Sequence, residues 1–518
     1  MAAPHQQEVA SAAYLVRLTN LPKYYGVSQL KNLLKRSGVA ARKLTMRKHQ
    51  NDACLTVSDR QEQQNVISKL GGIRFKGKTL RARAATAVVS STPDELVGDT
   101  DTEEIENLML DGVTPLRNMP YEEQVKLKRE ESEKLLRSIW KEIAHCSMVT
   151  EGVLEDVLPS PMPLAYRNKC EFTVGYWQDG RATVGFQTTL GQRSVVVSPE
   201  RCSHVPVMMK ACARAFQAFL EDAVCKGATE RGLWRMLTIR QFLADCMMIV
   251  WIQEPTAHLS ALAFEELTAA LVRVFFTEST TWGDYKGFRL TSLYLDTRAR
   301  TSEQMKPQLL AGAPFLYETL LGLRFRVSPS AFFQTNSKSA EVLYRCIGDV
   351  CQLDKSTVLL DICCGTGTIG ISLAKQVQYV LGVELCEEAV EDAKRNALEN
   401  GISNCGFVAG PAEKVFPSMR HFLPQELDLS QAHVVGILDP PRAGLGDKLI
   451  MSVRRLVSLK RLVYVSCDPR AARKNFVDLC RATSNKYPEA GFTLKRVIPV
   501  DMCPQTKHVE WVILFERS

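Results

Sequence analysis

From about Phe332 onward the chain alternates short apolar runs with helix-like ones, and that rhythm restricts this half to a parallel sheet covered by helices. Thr357-Val358-Leu359-Leu360-Asp361 reads as a buried strand. Cys364-Gly365-Thr366-Gly367 turns into a helix, and Tyr379 to Glu384 is the second strand. Cys386 to Asn400 follows as a helix stopped by Gly401. Further strands are expected at Gly406–Val408, Val434–Asp439 and Leu462–Ser466, with two late ones at Phe492–Val500 and Val509–Phe515.

A Gly-x-Gly turn after the first strand lets a ligand approach the backbone, and an acid closing the next strand can hold ribose hydroxyls. Asp361 and Glu384 lie 23 residues apart, close to the ~20 of that geometry. The turn lacks the full dinucleotide fingerprint, so S-adenosylmethionine is a better candidate than a nicotinamide cofactor. Asp439-Pro440-Pro441-Arg442 ends a strand at the same sheet edge, and its prolines fix an extended turn. An aromatic residue would follow the diproline in amino-methylating enzymes; Arg442 argues against adenine-N6 chemistry.

Leu462 to Ser466 runs straight into Cys467-Asp468-Pro469, which places a thiol between a strand and a helix N-terminus. That position favours thiolate over thiol. Taken singly, one of sixteen cysteines is more often a small core residue. Glu510 would begin the last strand, and in isolation it reads as a solvated carboxylate.

The remainder of the chain carries its own signals. Residues 1–85 hold sixteen Lys/Arg against four Asp/Glu, whereas residues 94–111 hold eight Asp/Glu and no Lys/Arg. A basic unit followed by an acidic segment points to a polyanion partner more than to a membrane. There is no CxxC pair and no apolar run long enough to span a bilayer, so neither a metal site nor a membrane is expected. Met1 to Glu8 has no basic end or apolar core, so no secretory signal is expected. Unpatterned cysteines then suit a reducing compartment, cytosol or nucleus.

Five segments are expected: a small α/β unit at 14–85, an acidic linker at 86–118, a helical connector at 119–149, a mixed β-rich middle domain at 150–330, and a catalytic domain at 331–518. Asp179-Gly180 is a hairpin signal, and residues 235–252 and 288–296 read as strands. In the first unit, the order βαββαβ resembles an RNA recognition motif, with Cys54 and Val57 where stacking aromatics would stand. Phosphate contact by basic side chains is then the expectation, with protein contact as the alternative.

Four motifs stand in one order: Phe332-Phe333-Gln334-x-Asn336, Asp361-x-x-Cys364-Gly365-x-Gly367, Asp439-Pro440-Pro441-Arg442-x-Gly444, and Ser466-Cys467 with Pro504-x-Thr506-x-His508-x-Glu510. Together they closely resemble the RNA (uracil-5-)-methyltransferase family over roughly residues 160–518. The resemblance implies a class I Rossmann-like methyltransferase, a monomer that methylates the T-loop uridine of tRNA (position 54) using S-adenosylmethionine, with other structured RNA as further substrates. It implies Cys467 as nucleophile and Glu510 as the base that removes the C5 proton. Gln334, Asp361, Cys363, Gly365, Gly367, Glu384 and Asp439 would form the cofactor site, and Arg167, Asn168 and Lys169 would contact RNA. An RNA cytosine-5-methyltransferase and a non-catalytic tRNA chaperone are the alternatives. The family has Asn where this chain has Asp468, and Phe where it has Cys503. A carboxylate beside the thiol is expected to raise its pKa.

Overall fold

The computed structural model describes residues 14–21, 27–39, 43–47, 52–57, 59–75, 78–86, 102–147, 152–177, 181–190, 193–221, 232–253, 261–277, 289–298, 307–427 and 432–517. The chain divides into a unit at Met1–Glu95 and a larger one at Leu96–Ser518. Asp179-Gly180 lies outside the described residues.

In the first unit Lys43–Arg47, Asp52–Val57, Tyr14–Thr19 and Arg81–Thr86 form an antiparallel sheet in that order. Helices Val27–Arg36 and Arg60–Leu70 supply Leu30, Leu34, Val66 and Leu70 to its core. Strand alternation places Ala53, Leu55 and Val57 in that core. Val57 is therefore a packing residue, which corrects its assignment to an open, base-stacking position.

The stretch read as linker contains a helix, α1, at Thr102–Val113. Ile105, Met109 and Leu110 fall at i, i+4 and i+5, and they bury against the middle β-rich region. Acidic composition masked this apolar stripe. Next comes α2, Tyr121–Ala144, the connector helix.

The middle region is a seven-stranded sheet ordered Arg193–Val197, Ala182–Leu190, Lys169–Tyr176, Trp234–Phe242, Asp245–Gln253, Arg289–Arg298, Gln308–Gly312. The segment 235–252, expected as strand, forms a hairpin of two strands. Leu243 turns it with φ of 52°, so no glycine or proline announces the break.

After α3 (Ser337–Cys351) the catalytic sheet is assembled from β1 (Thr357–Ile362), β2 (Tyr379–Glu384), β3 (Cys405–Ala409), β4 (His433–Leu438), β5 (Leu459–Ser466), β6 (Thr493–Val500) and β7 (Glu510–Glu516). Their order is β3-β2-β1-β4-β5-β7-β6, and Val153–Leu154 adds a short parallel edge. The first five run parallel; β7 pairs antiparallel with both β5 and β6. Helices α4 (Thr368–Leu373) and α5 (Glu387–Glu399) join α3 on one face. The other face carries α2, α6 (Ala412–Val415), α7 (Asp447–Arg455) and α8 (Pro469–Cys480). With both faces covered, β1 is buried at every position, as parallel central strands usually are. Among the described residues no helix is long and apolar enough to cross a membrane, and no group of His, Cys, Asp and Glu could hold a metal ion.

Candidate active site

Successive side chains of a strand alternate between faces, so one packing residue fixes the direction of its neighbours. Leu359, Val380, Ile437, Val465 and Val512 pack on the α3–α5 side. Val358, Leu381, Val434, Leu462 and Ile513 pack on the α2 side. Asp361, Glu384, Asp439, Cys467 and Glu510 stand at even offsets from the first set. Five chemistry-bearing residues from five strand ends thus belong to one face at one rim of the sheet.

Four of them open onto a common cleft of about 2320 Å³: Glu384, Asp439, Cys467 and Glu510, together with Gln334, Cys363, Gly365 and Arg442. Its far wall comes from the middle region and includes Tyr166, Arg167, Lys169, Trp251 and Tyr294. Small-molecule pockets occupy about 300–1,000 Å³. This cleft therefore has room for a nucleotide beside a nucleoside-sized cofactor.

Two expected cofactor residues lie behind the wall. Asp361 is fully buried, and one of its oxygens accepts the Gly370 N–H at 2.8 Å, which ties β1 to α4. Gly367, at φ 76°, is hemmed in by Phe407, only 2.9 Å from where a Cβ would stand. Its role is to let α4 start close against α5 and β3. Gly365 also has positive φ, 54°, but opens onto free space where a ligand could lie. Its N–H donates to Glu384 Oε2 at 3.0 Å, and Glu384 Oε1 accepts from the Leu385 and Cys386 amides. Three bonds leave about one of the four lone-pair sites of a carboxylate for a hydroxyl.

Burial dominates the electrostatics. The Asp361 carboxyl is pushed up to about 7 by burial, against the opposing pull of the Gly370 amide. Asp439 is also pushed up to about 7, by burial and then by the charge of Asp361. Glu510 rises well above the ordinary range through burial, then through Asp439, with Arg442 opposing. Burial pushes the Cys467 thiol up to about 11; Glu510 adds to this and Arg442 opposes it. The thiolate expected from the helix N-terminus is therefore outweighed: desolvation of the charged sulfur exceeds what the helix end returns. Asp468 is not the leading cause of that rise. Its carboxylate caps α8, where Oδ1 accepts the Ala471 N–H at 3.1 Å. The Asp439 and Glu510 carboxyls, raised by burial and each favoured in ionised form by an approaching cation, suit a sulfonium nucleoside such as S-adenosylmethionine.

Of the three expected RNA contacts, Arg167 and Lys169 face the cleft, and Lys169 is paired with Glu171 at 2.7 Å. Asn168 is buried. Its amide donates to Gln334 O and Ser337 Oγ, both at 2.8 Å, and its backbone N–H donates to Thr335 O. It brackets the Gln334 segment against the middle sheet, which corrects its assignment as an RNA ligand. Sequence reading gave Arg442 no role in the site, although it acts electrostatically on both Cys467 and Glu510.

A family model described as tRNA (uracil-5-)-methyltransferase matches residues 319–518. The tRNA (uracil-5-)-methyltransferase homolog A of Homo sapiens is 37% identical over 531 aligned residues, covering 98% of this chain and 83% of that protein. The chain belongs to the tRNA (uracil-5-)-methyltransferase family. The Mus musculus homolog A is likewise 37% identical, with 98% of this chain and 85% of that protein covered. The fold is that of Pyrococcus abyssi tRNA (uracil-54, C5)-methyltransferase, solved with S-adenosyl-L-homocysteine. The TM-score is 0.54 at 21% identity, covering 86% of this chain and 91% of that one.

Proposed function

We propose that this family member, an S-adenosylmethionine-dependent tRNA (uracil-5-)-methyltransferase, methylates C5 of the T-loop uridine through a covalent adduct on Cys467. One observation carries this reading: Cys467 and Glu510 open onto the same cleft as Glu384, Gly365 and Asp439.

Uracil C5 is too weak a nucleophile to take a methyl group directly. Addition of the Cys467 thiolate to C6 breaks the C5=C6 π bond and makes an enolate, whose C5 then forms the new C–C bond. Gln334, Glu384, Asp439, Cys363 and Gly365 would hold S-adenosylmethionine, which would supply the electrophilic methyl group and leave as the neutral thioether once its S–CH3 bond breaks. Glu510 then takes the C5 proton. The C–H electrons restore C5=C6 as the C6–S bond breaks and the thiolate leaves. A carboxylate with a raised pKa is the stronger base for that proton, so burial of Glu510 serves the last step. The target base must leave its stack to reach a recessed thiol. In this reading Arg167 and Lys169, which line the cleft, meet the RNA backbone.

The N-terminal unit is RNA-recognition-motif-like in this reading and holds RNA through basic side chains. A monomer in a reducing compartment, cytosol or nucleus, completes the proposal. Nucleoside mass spectrometry of unmodified tRNA after incubation with enzyme and methyl donor tests it. The expected product is 5-methyluridine at position 54. Appearance of 5-methylcytidine would establish cytosine chemistry instead, and tight binding with no methylated nucleoside would leave a chaperone.

A further inference from the structure

Glu510 follows a nine-residue loop, 501–509, that joins β6 to β7 where Val500 pairs with Glu510. A tight hairpin would fix its own geometry; this loop contains no helix or strand. Gln505 sits in it at φ 68°, a left-handed conformation that a side-chain-bearing residue adopts only when held.

Much of the hold comes from α2, outside the residues matched by the family model, with Tyr166, Asn336 and Ser339 bonding other carbonyls of the loop. Gln124, Lys128 and Ser132 are spaced four apart, so they share one face of the helix, and all three are buried. Lys128 Nζ donates to Asp501 Oδ1 at 2.6 Å and to Cys503 O at 3.0 Å. Neither partner of that ion pair reaches solvent. Gln124 and Gln505 exchange two bonds: the Gln505 N–H donates to Oε1 at 2.8 Å, and Gln124 Nε2 donates to Gln505 Oε1 at 3.3 Å. Tyr121 Oη donates to Asp501 Oδ2 at 3.0 Å, and Ser132 Oγ accepts the indole N–H of Trp511, the neighbour of Glu510, at 3.1 Å. The second half of the same stripe, Leu136, Ile139, Trp140 and Ile143, is apolar and docks on the catalytic core.

We propose that α2 is a strut for catalysis, with Lys128 and Gln124 as positioning residues that hold the 501–509 loop so that Glu510 meets the C5 proton. The apolar half of α2 anchors the helix; the polar half shapes the loop. This rests on the reading of Glu510 as the base. It follows that loss of the polar half slows proton removal and adduct breakdown, while the thiol, carried on a different loop, still adds.

The test compares Lys128→Met, Gln124→Ala and Glu510→Gln with Lys134→Ala, which lies on the exposed face of α2 and touches neither the anchor nor the loop. Each full-length protein is assayed below its melting temperature with unmodified tRNA and S-adenosylmethionine. Steady-state kinetics and denaturing gels for protein–RNA adduct are the readouts. Lys128→Met and Gln124→Ala should lose about 10- to 100-fold in kcat, with KM for tRNA within about threefold, and should accumulate the adduct seen with Glu510→Gln. Lys134→Ala should retain wild-type kcat without adduct. If Lys128→Met does not fold, Gln124→Ala, which leaves the ion pair in place, decides. Wild-type turnover without adduct in the positioning variants, while Glu510→Gln accumulates it, overturns the strut. Wild-type turnover in Glu510→Gln removes the base assignment instead.

Discussion

Two loops at one rim of the C-terminal sheet carry Cys467 and Glu510, the two side chains proposed to react, and they are held in opposite ways. The turn from β5 to α8 is self-contained: Cys467 follows the strand directly, Asp468 caps the helix and Pro469 starts it. The loop from β6 to β7 is held from elsewhere, by Tyr121, Gln124 and Lys128 of α2 and by Tyr166, whose hydroxyl donates to Pro504 O at 3.0 Å. The proposed nucleophile is thus positioned by its own neighbours, whereas the loop before the proposed base is held by residues at least 338 positions away in the chain. Substitutions near Cys467 should act locally, and substitutions on a distant helix should act on Glu510.

The largest effect should come from removing the attacking atom. Cys467→Ala is expected to abolish adduct formation and to reduce methyl transfer by at least about 10³-fold, measured by single-turnover assay. Glu510→Gln should reduce turnover by about 10²–10⁴-fold, the usual range for a lost acid–base group, yet still form adduct. If both variants lost adduct formation equally, the division of labour between the loops would break down.

Lys128→Met leaves Asp501 buried without its cation, at a cost of about 3–5 kcal/mol, to be read from denaturant unfolding of the larger unit. An unchanged midpoint would mean that the ion pair does not brace the loop. The pH dependence sharpens the contrast further. With the Cys467 thiol pushed up to about 11, only about one molecule in 10³ is thiolate at pH 8. Alkylation of Cys467 in the free enzyme should therefore rise about tenfold per pH unit from 8 to 10, followed by peptide mass spectrometry. A plateau near pH 8 would contradict the burial argument. The smallest effect belongs to the self-contained turn: Asp468→Ala should cost about 1 kcal/mol of cap stability, and Asp468→Asn nearly nothing, because either side chain accepts the Ala471 N–H.

The same contrast explains what could be read from the residues. Strand–turn–helix alternation and the Gly365, Asp439 and Cys467 motifs are local patterns, so the order of elements in the catalytic half was legible in advance. Asp361 and Gly367 carry the same motif signature as their neighbours, yet the pleat and the start of α4 turn them inward. Asn168 looked like part of an RNA-facing run, but its partners Gln334 and Ser337 come from a distant segment. The helix α2 alternates Glu and Lys, which is ordinarily the signature of a solvated face. The informative pattern was Gln124, Lys128 and Ser132 at intervals of four, continuous with an apolar stripe. Such a pattern acquires meaning only when the distant loop it grips is known. The net effect of burial on Cys467 was illegible for a related reason: a helix N-terminus is visible in sequence, whereas the low-dielectric walls around a sulfur are assembled from several strands.

The central claim is that one sulfur adds to the pyrimidine and one buried carboxylate releases it. The most direct measurement uses a tRNA transcript with 5-fluorouridine at position 54, incubated with full-length enzyme and S-adenosylmethionine, followed by peptide mapping of the denatured product. Fluorine cannot be removed as a proton, so a stable, methylated nucleotide adduct is expected on the peptide carrying Cys467. An adduct on another cysteine, or none while uridine-containing tRNA is methylated normally, would contradict the account.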